Sequence, residues 1–314
     1  MPPLVAVTRR VVPSVRDELG RRFDLRIHDS EQPALRDELL ALVAGADGLL
    51  TMLTDAVDAE LLDAAGPQLR VVANHATGHD NVDLAAARER GVTVTTTPGV
   101  LERATAEHTI ALLLALTRRI AEGDRFLRRG EPWVWAPTFM LGHGLTGRTL
   151  GLVGLGRIGA EVARLAAALG LEVVYTARTP RDVPYPRLPL GELLAGADAV
   201  SVHVPLTDET RGLIGAEELG LMRPEAVLVN TARGPIVDEA ALAEALRAGE
   251  IAGAALDVFE HEPAVHPALL ELENVVLTPH TASATHEARE AMGRLCVEAL
   301  TAVLLDGRTP DTAV

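Results

Sequence analysis

The sequence predicts an α/β protein of two lobes built on parallel sheets, and three observations carry that prediction. The chain has 314 residues, which at roughly 150 residues per domain corresponds to two domains. Short β-rich runs alternate with Ala/Leu/Arg/Glu-rich stretches along nearly the whole chain, as strands joined by crossover helices do. Hydrophobic residues make up 48% and charged residues 23%, enough apolar material for packed cores and too much for disorder.

Taken in order, Leu4–Thr8, Asp24–His28, Gly48–Thr51, Leu69–Ala73 and Val92–Thr95 read as the strands of the first lobe. Thr97-Pro98-Gly99 is a turn signal that ends the fifth strand and marks the lobe boundary. Leu101 to about Arg129 reads as one long helical stretch with Ala-Leu-Leu-Leu-Ala-Leu inside it. Six more strands follow at Thr149–Val153, Leu171–Thr176, Ala199–Val204, Ala226–Asn230, Gly253–Val258 and Val275–Thr278. From about Ala284 to Leu305 the chain reads as a second long helix. Gly and Pro return only after it, in Asp306-Gly307-Arg308-Thr309-Pro310.

Composition excludes several kinds of function. A net charge of −15 disfavours nucleic-acid backbones and anionic lipid as partners. An aromatic content of 3% argues against stacking platforms for single strands. All 29 basic residues are Arg, so Schiff-base, pyridoxal-phosphate and P-loop lysine chemistry is absent. Cys296 is the only cysteine, which rules out an intrachain disulfide, and its Ala/Leu-rich surroundings make it buried filler. No metal site is expected. His75 and His79 lack a third ligand, and His261-Glu262 with His266 has H-E-x-x-x-H spacing interrupted by Pro263. Residues 1–7 are too short and uncharged for a signal peptide, and the apolar run Thr109–Thr117 is too short to span a membrane. A cytoplasmic protein without a membrane partner is expected.

The strongest motif is Gly154-Leu155-Gly156-Arg157-Ile158-Gly159, directly after the apolar strand Thr149–Val153 and before an Ala-rich helix. In that context Gly154 permits the tight turn, Gly156 lets the backbone approach a pyrophosphate, and Gly159 allows close helix–strand packing. The free N–H groups of the helix start, at Arg157 and Ile158, then face the phosphates of a dinucleotide. The next strand ends not in Asp or Glu but in Ala177-Arg178-Thr179. No carboxylate is there to bind a free ribose 2′-hydroxyl, and Arg178 can pair with a 2′-phosphate. NADP(H) is therefore expected to be preferred, with NAD(H) possible.

Three further polar side chains follow strands: Arg233 in Asn230-Thr231-Ala232-Arg233-Gly234, Glu262 in Asp257-Val258-Phe259-Glu260-His261-Glu262-Pro263, and His280 in Thr278-Pro279-His280-Thr281-Ala282-Ser283. Ligands of open parallel sheets bind at the carboxyl ends of strands, so the three can converge. Their chemistry suits hydride transfer to a 2-oxo acid. An Arg grips a carboxylate at two points. A His protonates the carbonyl oxygen as hydride reaches carbon, and a neighbouring carboxylate favours its imidazolium form. Taken alone, Arg233 is more often a loop ion-pair partner, Glu262 a solvated turn carboxylate and His280 a hydrogen-bonded strand-end histidine; the order Arg, Glu, His after a qualified dinucleotide loop reverses that balance in favour of chemistry.

With these motifs the chain resembles the D-isomer-specific 2-hydroxyacid dehydrogenases over essentially its whole length. The motifs are residues 154–159, Met222 to Gly234, Asp257 to Pro263 and Thr278 to Ser283. The resemblance implies a doubly wound Rossmann domain at 99–284, inserted into a flavodoxin-like substrate lobe made of 1–98 and 285–314, with the active site in the cleft. It implies that Arg233 orients the substrate, Glu262 partners the histidine and His280 donates the proton. It places Pro205, Thr210, Thr231, Ala232 and Asp257 near the cofactor. The segment Asn74 to Asp83 is similar to the family's substrate loop, so the N–H groups of Thr77 and Gly78 would receive the carboxylate, with Leu53 shaping the pocket. Glu131-Pro132-Trp133-Val134-Trp135-Ala136-Pro137 is similar to the dimerisation arm of glyoxylate/hydroxypyruvate reductases, implying a homodimer. With the sequence stopping at Val314, the regulatory domain of many phosphoglycerate dehydrogenases is not expected. The expected activity is NADPH-dependent reduction of glyoxylate or hydroxypyruvate. The alternatives are a dehydrogenase for D-lactate, phosphoglycerate or a larger 2-oxo acid, and a non-catalytic dinucleotide sensor.

Overall fold

The computed structural model describes residues 1–314, which divide into two compact units, Met1–Leu101 with Ala284–Val314, and Glu102–Ser283. Unit one holds β1 (Leu4–Val7), α1 (Pro13–Arg22), β2 (Asp24–Ile27), α2 (Arg36–Val43), β3 (Gly48–Thr51), α3 (Ala59–Ala65), β4 (Val71–Asn74), α4 (Leu84–Glu89) and β5 (Thr93–Thr95). Its sheet runs β2-β1-β3-β4-β5, every pair parallel. This is the flavodoxin-like order expected for the first lobe. Asp58 and Asp83 cap α3 and α4 by accepting from the amides of Leu61 and Ala86, satisfying first-turn donors that the helix cannot.

Unit two holds α5 (Glu102–Thr117), α6 (Ile120–Arg128), β6 (Thr149–Val153), α7 (Arg157–Ala168), β7 (Glu172–Thr176), α8 (Leu190–Gly196), β8 (Ala199–Val202), α9 (Ala216–Leu221), β9 (Val227–Asn230), α10 (Glu239–Ala248), β10 (Gly253–Leu256), α11 (Pro267–Leu270) and β11 (Val275–Leu277). The order is β11-β10-β9-β8-β6-β7, again all parallel, with the chain reversing direction across the sheet between β6 and β8. Strands β8, β9 and β10 are buried at every residue, as strands covered by helices on both faces must be. The final helix α12 (His286–Leu304) belongs to unit one. It packs so tightly there that a Cβ on Gly48 would stand 2.9 Å from Leu300 and Leu304, and one on Gly293 only 2.3 Å from Val15.

The single helix expected from Leu101 to Arg129 is two helices. The break lies at Arg118-Arg119, where no Gly or Pro announces it, and Arg119 takes a left-handed φ of 54°. Two interactions impose the break. The Thr117 carbonyl accepts the amide of His143 at 2.8 Å in place of a helical donor, and the Arg119 guanidinium grips Glu122 through Nε and Nη2 at 2.7 and 2.6 Å. No helix is long and apolar enough to cross a membrane.

Two strand ends carry histidines whose pKa burial depresses. At the end of β4, His75 is packed away from solvent with Nδ1 lacking a partner, and burial together with the charge of Arg289 pushes it down to about 4. At the end of β8, burial likewise pushes His203 down to about 4. In the unfolded chain both take up protons near 6.5, so between 6.5 and about 4 the unfolded state binds more protons than the folded one. Stability is therefore whole above that window and is lost as the pH falls through it. Thermal melts should show the midpoint falling from pH 6.5 to 4, and His75→Leu should flatten the slope; an unchanged slope would exonerate His75.

Candidate active site

Every strand of the second sheet delivers its carboxyl end to one edge, and the chemistry-bearing residues of unit two follow those ends. After β6, Gly154 adopts φ 101°, and a Cβ there would stand 2.8 Å from the backbone of His203 and Val204. A Cβ on Gly159 would meet the Gly154 carbonyl at 2.7 Å, whereas one on Gly156 would meet nothing within 4 Å. Two glycines thus serve packing and the middle one leaves open approach to the backbone. The first main-chain hydrogen bond of α7 runs from the Ala160 amide to the Gly156 carbonyl, so the amides of Arg157, Ile158 and Gly159 precede the helical ladder. This donor set, with clear space over Gly156, fits the pyrophosphate of a dinucleotide.

After β7, Arg178 is exposed. The two carbonyls of its turn, Ala177 and Arg178, accept from Nε and Nη2 of Arg187 at 2.9 and 3.1 Å, so a second guanidinium pins the turn. Glu209 lies near enough for the Arg178 charge to act on it; its carboxyl is held below the ordinary range mainly by the Thr207 hydroxyl. After β8, Thr210 Oγ1 donates to the Pro205 carbonyl at 2.6 Å and fixes that loop.

After β9, Thr231 Oγ1 lies 2.9 Å from Thr109 Oγ1 of α5, Asn230 caps the Ala232 amide, and Arg233 Nη1 rests on the Ala232 carbonyl at 2.8 Å. Gly234 follows, so close to the next loop that a Cβ would stand 1.9 Å from the Phe259 carbonyl carbon. That approach, possible only for glycine, presses the loop of Arg233 against the loop of Glu262. Glu262 then uses both oxygens: Oε1 accepts the Phe259 amide at 3.0 Å, and Oε2 stands 2.8 Å from His280 Nδ1. His280 itself has a left-handed φ of 53°, held by its amide donating to the Asp257 carbonyl at 2.8 Å. A non-glycine residue in that region is costly and accumulates at functional sites. With Nδ1 engaged by Glu262, Nε2 is the nitrogen left for a reacting oxygen.

Asp257, expected beside the cofactor, is fully buried. Oδ1 accepts Thr278 Oγ1 at 2.6 Å and the Thr281 amide at 2.8 Å, and Oδ2 accepts the Ala282 amide at 2.8 Å. Burial raises its pKa, but the donors, His108 first among them, outweigh that and hold it below the usual carboxylate range.

Unit one keeps its expected substrate residues on one braced surface. Asn81 Nδ2 donates to the carbonyls of Met52 and Asp55 at 3.1 and 2.9 Å, tying the Leu53 turn to the 74–81 loop. Asn74 donates to the Gly78 carbonyl and Thr77 Oγ1 to that of Thr97.

Three residues of the site region escaped the sequence reading. His203 packs against the glycine loop with Nε2 2.8 Å from Ser201 Oγ. Glu239, at the start of α10, accepts the amides of Glu260 and His266 and so clasps the segment around Glu262; burial raises its carboxyl pKa. His108 of α5 lies 3.3 Å from Asp257. Only Asp238-Glu239, a cap followed by an acidic first turn, left a trace in the sequence.

The family model described as D-isomer specific 2-hydroxyacid dehydrogenase, NAD binding domain, matches residues 110–282. A glyoxylate reductase of Aeropyrum pernix is 47% identical over 323 residues, covering 99% of this chain and 96% of the relative. Among solved structures, a protein of Thermus thermophilus superposes with a TM-score of 0.95 at 48% identity, covering 99% of each chain. The NADPH-dependent glyoxylate/hydroxypyruvate reductase of Sinorhizobium meliloti, solved with NADP and malonate, gives 0.87 at 36% identity over 100% of this chain and 97% of its own.

Proposed function

The chain belongs to the D-isomer-specific 2-hydroxyacid dehydrogenase family, and from that premise we propose that it reduces glyoxylate or hydroxypyruvate to the 2-hydroxy acid, with NADPH preferred over NADH. The observation that carries this is the 2.8 Å contact between His280 Nδ1 and Glu262 Oε2 on adjoining strand-end loops. Similarity to glyoxylate reductases over the full length supports the substrate class.

Bound over the glycine loop, the nicotinamide dinucleotide supplies the hydride. Gly154, Gly156, Arg157, Ile158 and Gly159 hold its pyrophosphate, with Pro205, Thr210, Thr231 and Ala232 along the same edge. Arg233 grips the substrate carboxylate, as only a guanidinium can in the absence of any Lys. Leu53, Thr77 and Gly78 take part in recognising the small 2-oxo acid. Glu262 orients the imidazole through Nδ1, and His280 Nε2 gives the proton to the carbonyl oxygen. Substrate and cofactor are both anions meeting a chain of net charge −15, so Arg233 and Arg178 supply the local field that draws them in.

Initial rates of NADPH and NADH oxidation with glyoxylate and hydroxypyruvate test this directly; no turnover with either cofactor would overturn it. In the same assay His280→Ala should lower turnover on the order of 10²–10⁴-fold, and wild-type turnover in that variant would remove the proton-donor role. Arg178→Asp should move preference towards NADH through loss of the 2′-phosphate partner, while unchanged discrimination would assign selectivity elsewhere.

We also propose a homodimer formed through the 120–141 region. Helix α6 buries none of its residues, Ile120 and Leu127 face solvent, and Trp133 and Trp135 are 55% and 76% exposed. Such contiguous apolar exposure marks an association surface. Sedimentation should give twice the chain mass, and Trp135→Ser with Leu141→Ser should lower it; a monomeric wild type would refute the dimer.

A further inference from the structure

His108 stands on α5, far in sequence from every motif above, yet it reaches the last loop of unit two. Its Nε2 is 3.1 Å from Thr278 Oγ1 and 3.3 Å from Asp257 Oδ1. Proton accounting fixes its tautomer. The single Thr278 hydroxyl proton is committed to Asp257 at 2.6 Å, so it cannot also serve the imidazole. Nε2 must therefore carry hydrogen and donate, shared between the hydroxyl and the carboxylate. The same carboxylate accepts the amides of Thr281 and Ala282, and the Asp257 main-chain oxygen accepts that of His280. One fully buried anion thus organises the 278–282 loop, and His108 is the side-chain donor that reaches it from a separate helix.

We propose that His108 is a positioning residue for proton transfer: its Nε2–H completes the donor set of Asp257, and the anchored carboxylate holds the 278–282 loop so that His280 stays in register with Glu262. This rests on the reductase function proposed above. A buried carboxylate deprived of one donor must recruit another or loosen its loop, and either shifts the imidazole by the fraction of an ångström that proton transfer does not tolerate.

The test compares wild type with H108L, H108Q and H108N, reading kcat and KM for glyoxylate and NADPH together with hydrogen exchange at the Thr281 and Ala282 amides. H108L should lower kcat on the order of tenfold to a hundredfold, as for one charge-assisted hydrogen bond. Because the glycine loop is untouched, any rise in KM for NADPH should be smaller than the fall in kcat. Exchange at Thr281 and Ala282 should quicken. H108Q, which restores an N–H at comparable reach, should recover kcat to within about threefold. H108N, one methylene shorter, should not. Wild-type kcat in H108L, or H108Q failing as badly as H108L, would overturn the proposal. If H108L does not fold, the contrast between H108Q and H108N decides. Absence of turnover in the wild type would count against the reductase function itself. The exchange rates of the ligand-free protein would then judge His108 separately: faster in H108L and restored in H108Q supports it, unchanged refutes it.

Discussion

Parallel strands cannot be joined by hairpins, so each strand of the second sheet sends its chain out at the carboxyl edge and back through a helix to the opposite edge. That constraint gathers the ends of six strands, drawn from Thr149 to Leu277, along one line. The glycine loop, the Arg178 turn, the Pro205–Thr210 loop, Arg233, Glu262 and His280 sit in sequence order along the chain and side by side in space. No residue needs to be brought to the site by a special excursion. The strands β8, β9 and β10, which lead into the Pro205–Thr210 loop, Arg233 and Glu262, are buried at every position, so the register of that part of the edge is fixed by core packing rather than by the polar groups it carries.

How much of this was legible depended on whether the cause was local. All eleven strands were found within a residue or two, and β8, β9 and β10 most plainly, because a strand covered on both faces is a continuous apolar run and announces itself. The β4 start at Val71 rather than Leu69 is such an edge effect. The Arg118-Arg119 break was invisible because one of its two causes is the His143 amide, more than twenty residues downstream. The glycines, Arg233, Glu262 and His280 could be named from residue type and strand-end position. His108 and Glu239 could not, since each acts through a partner that only the folded chain supplies. A histidine on an Ala/Leu-rich helix carries no sign of facing a carboxylate about 150 residues away.

The polar framework behind the site has a consistent logic of rank. The pair proposed to carry the proton transfer remains partly open: the His280 and Glu262 side chains are about a quarter exposed. Groups that only hold them are buried and saturated with donors, as Asp257 and Glu239 are. A buried carboxylate is tolerable only when amides and hydroxyls replace its water, and each donor so used is a fixed point in a loop. Loops without regular structure thereby acquire the rigidity of the sheet below them.

The Asp257 carboxylate also touches both ends of the segment that makes unit two, His108 near its beginning and Thr278, Thr281 and Ala282 at its close. An insertion cinched at its root in this way behaves as a cassette. Its two free ends emerge already paired, so the chain that carries it bears little loop-closure entropy for the long detour. Such a module can be spliced into a host, or lifted from one, at a single point, and the same buried anion that steadies the chemistry is the clasp that makes the module portable.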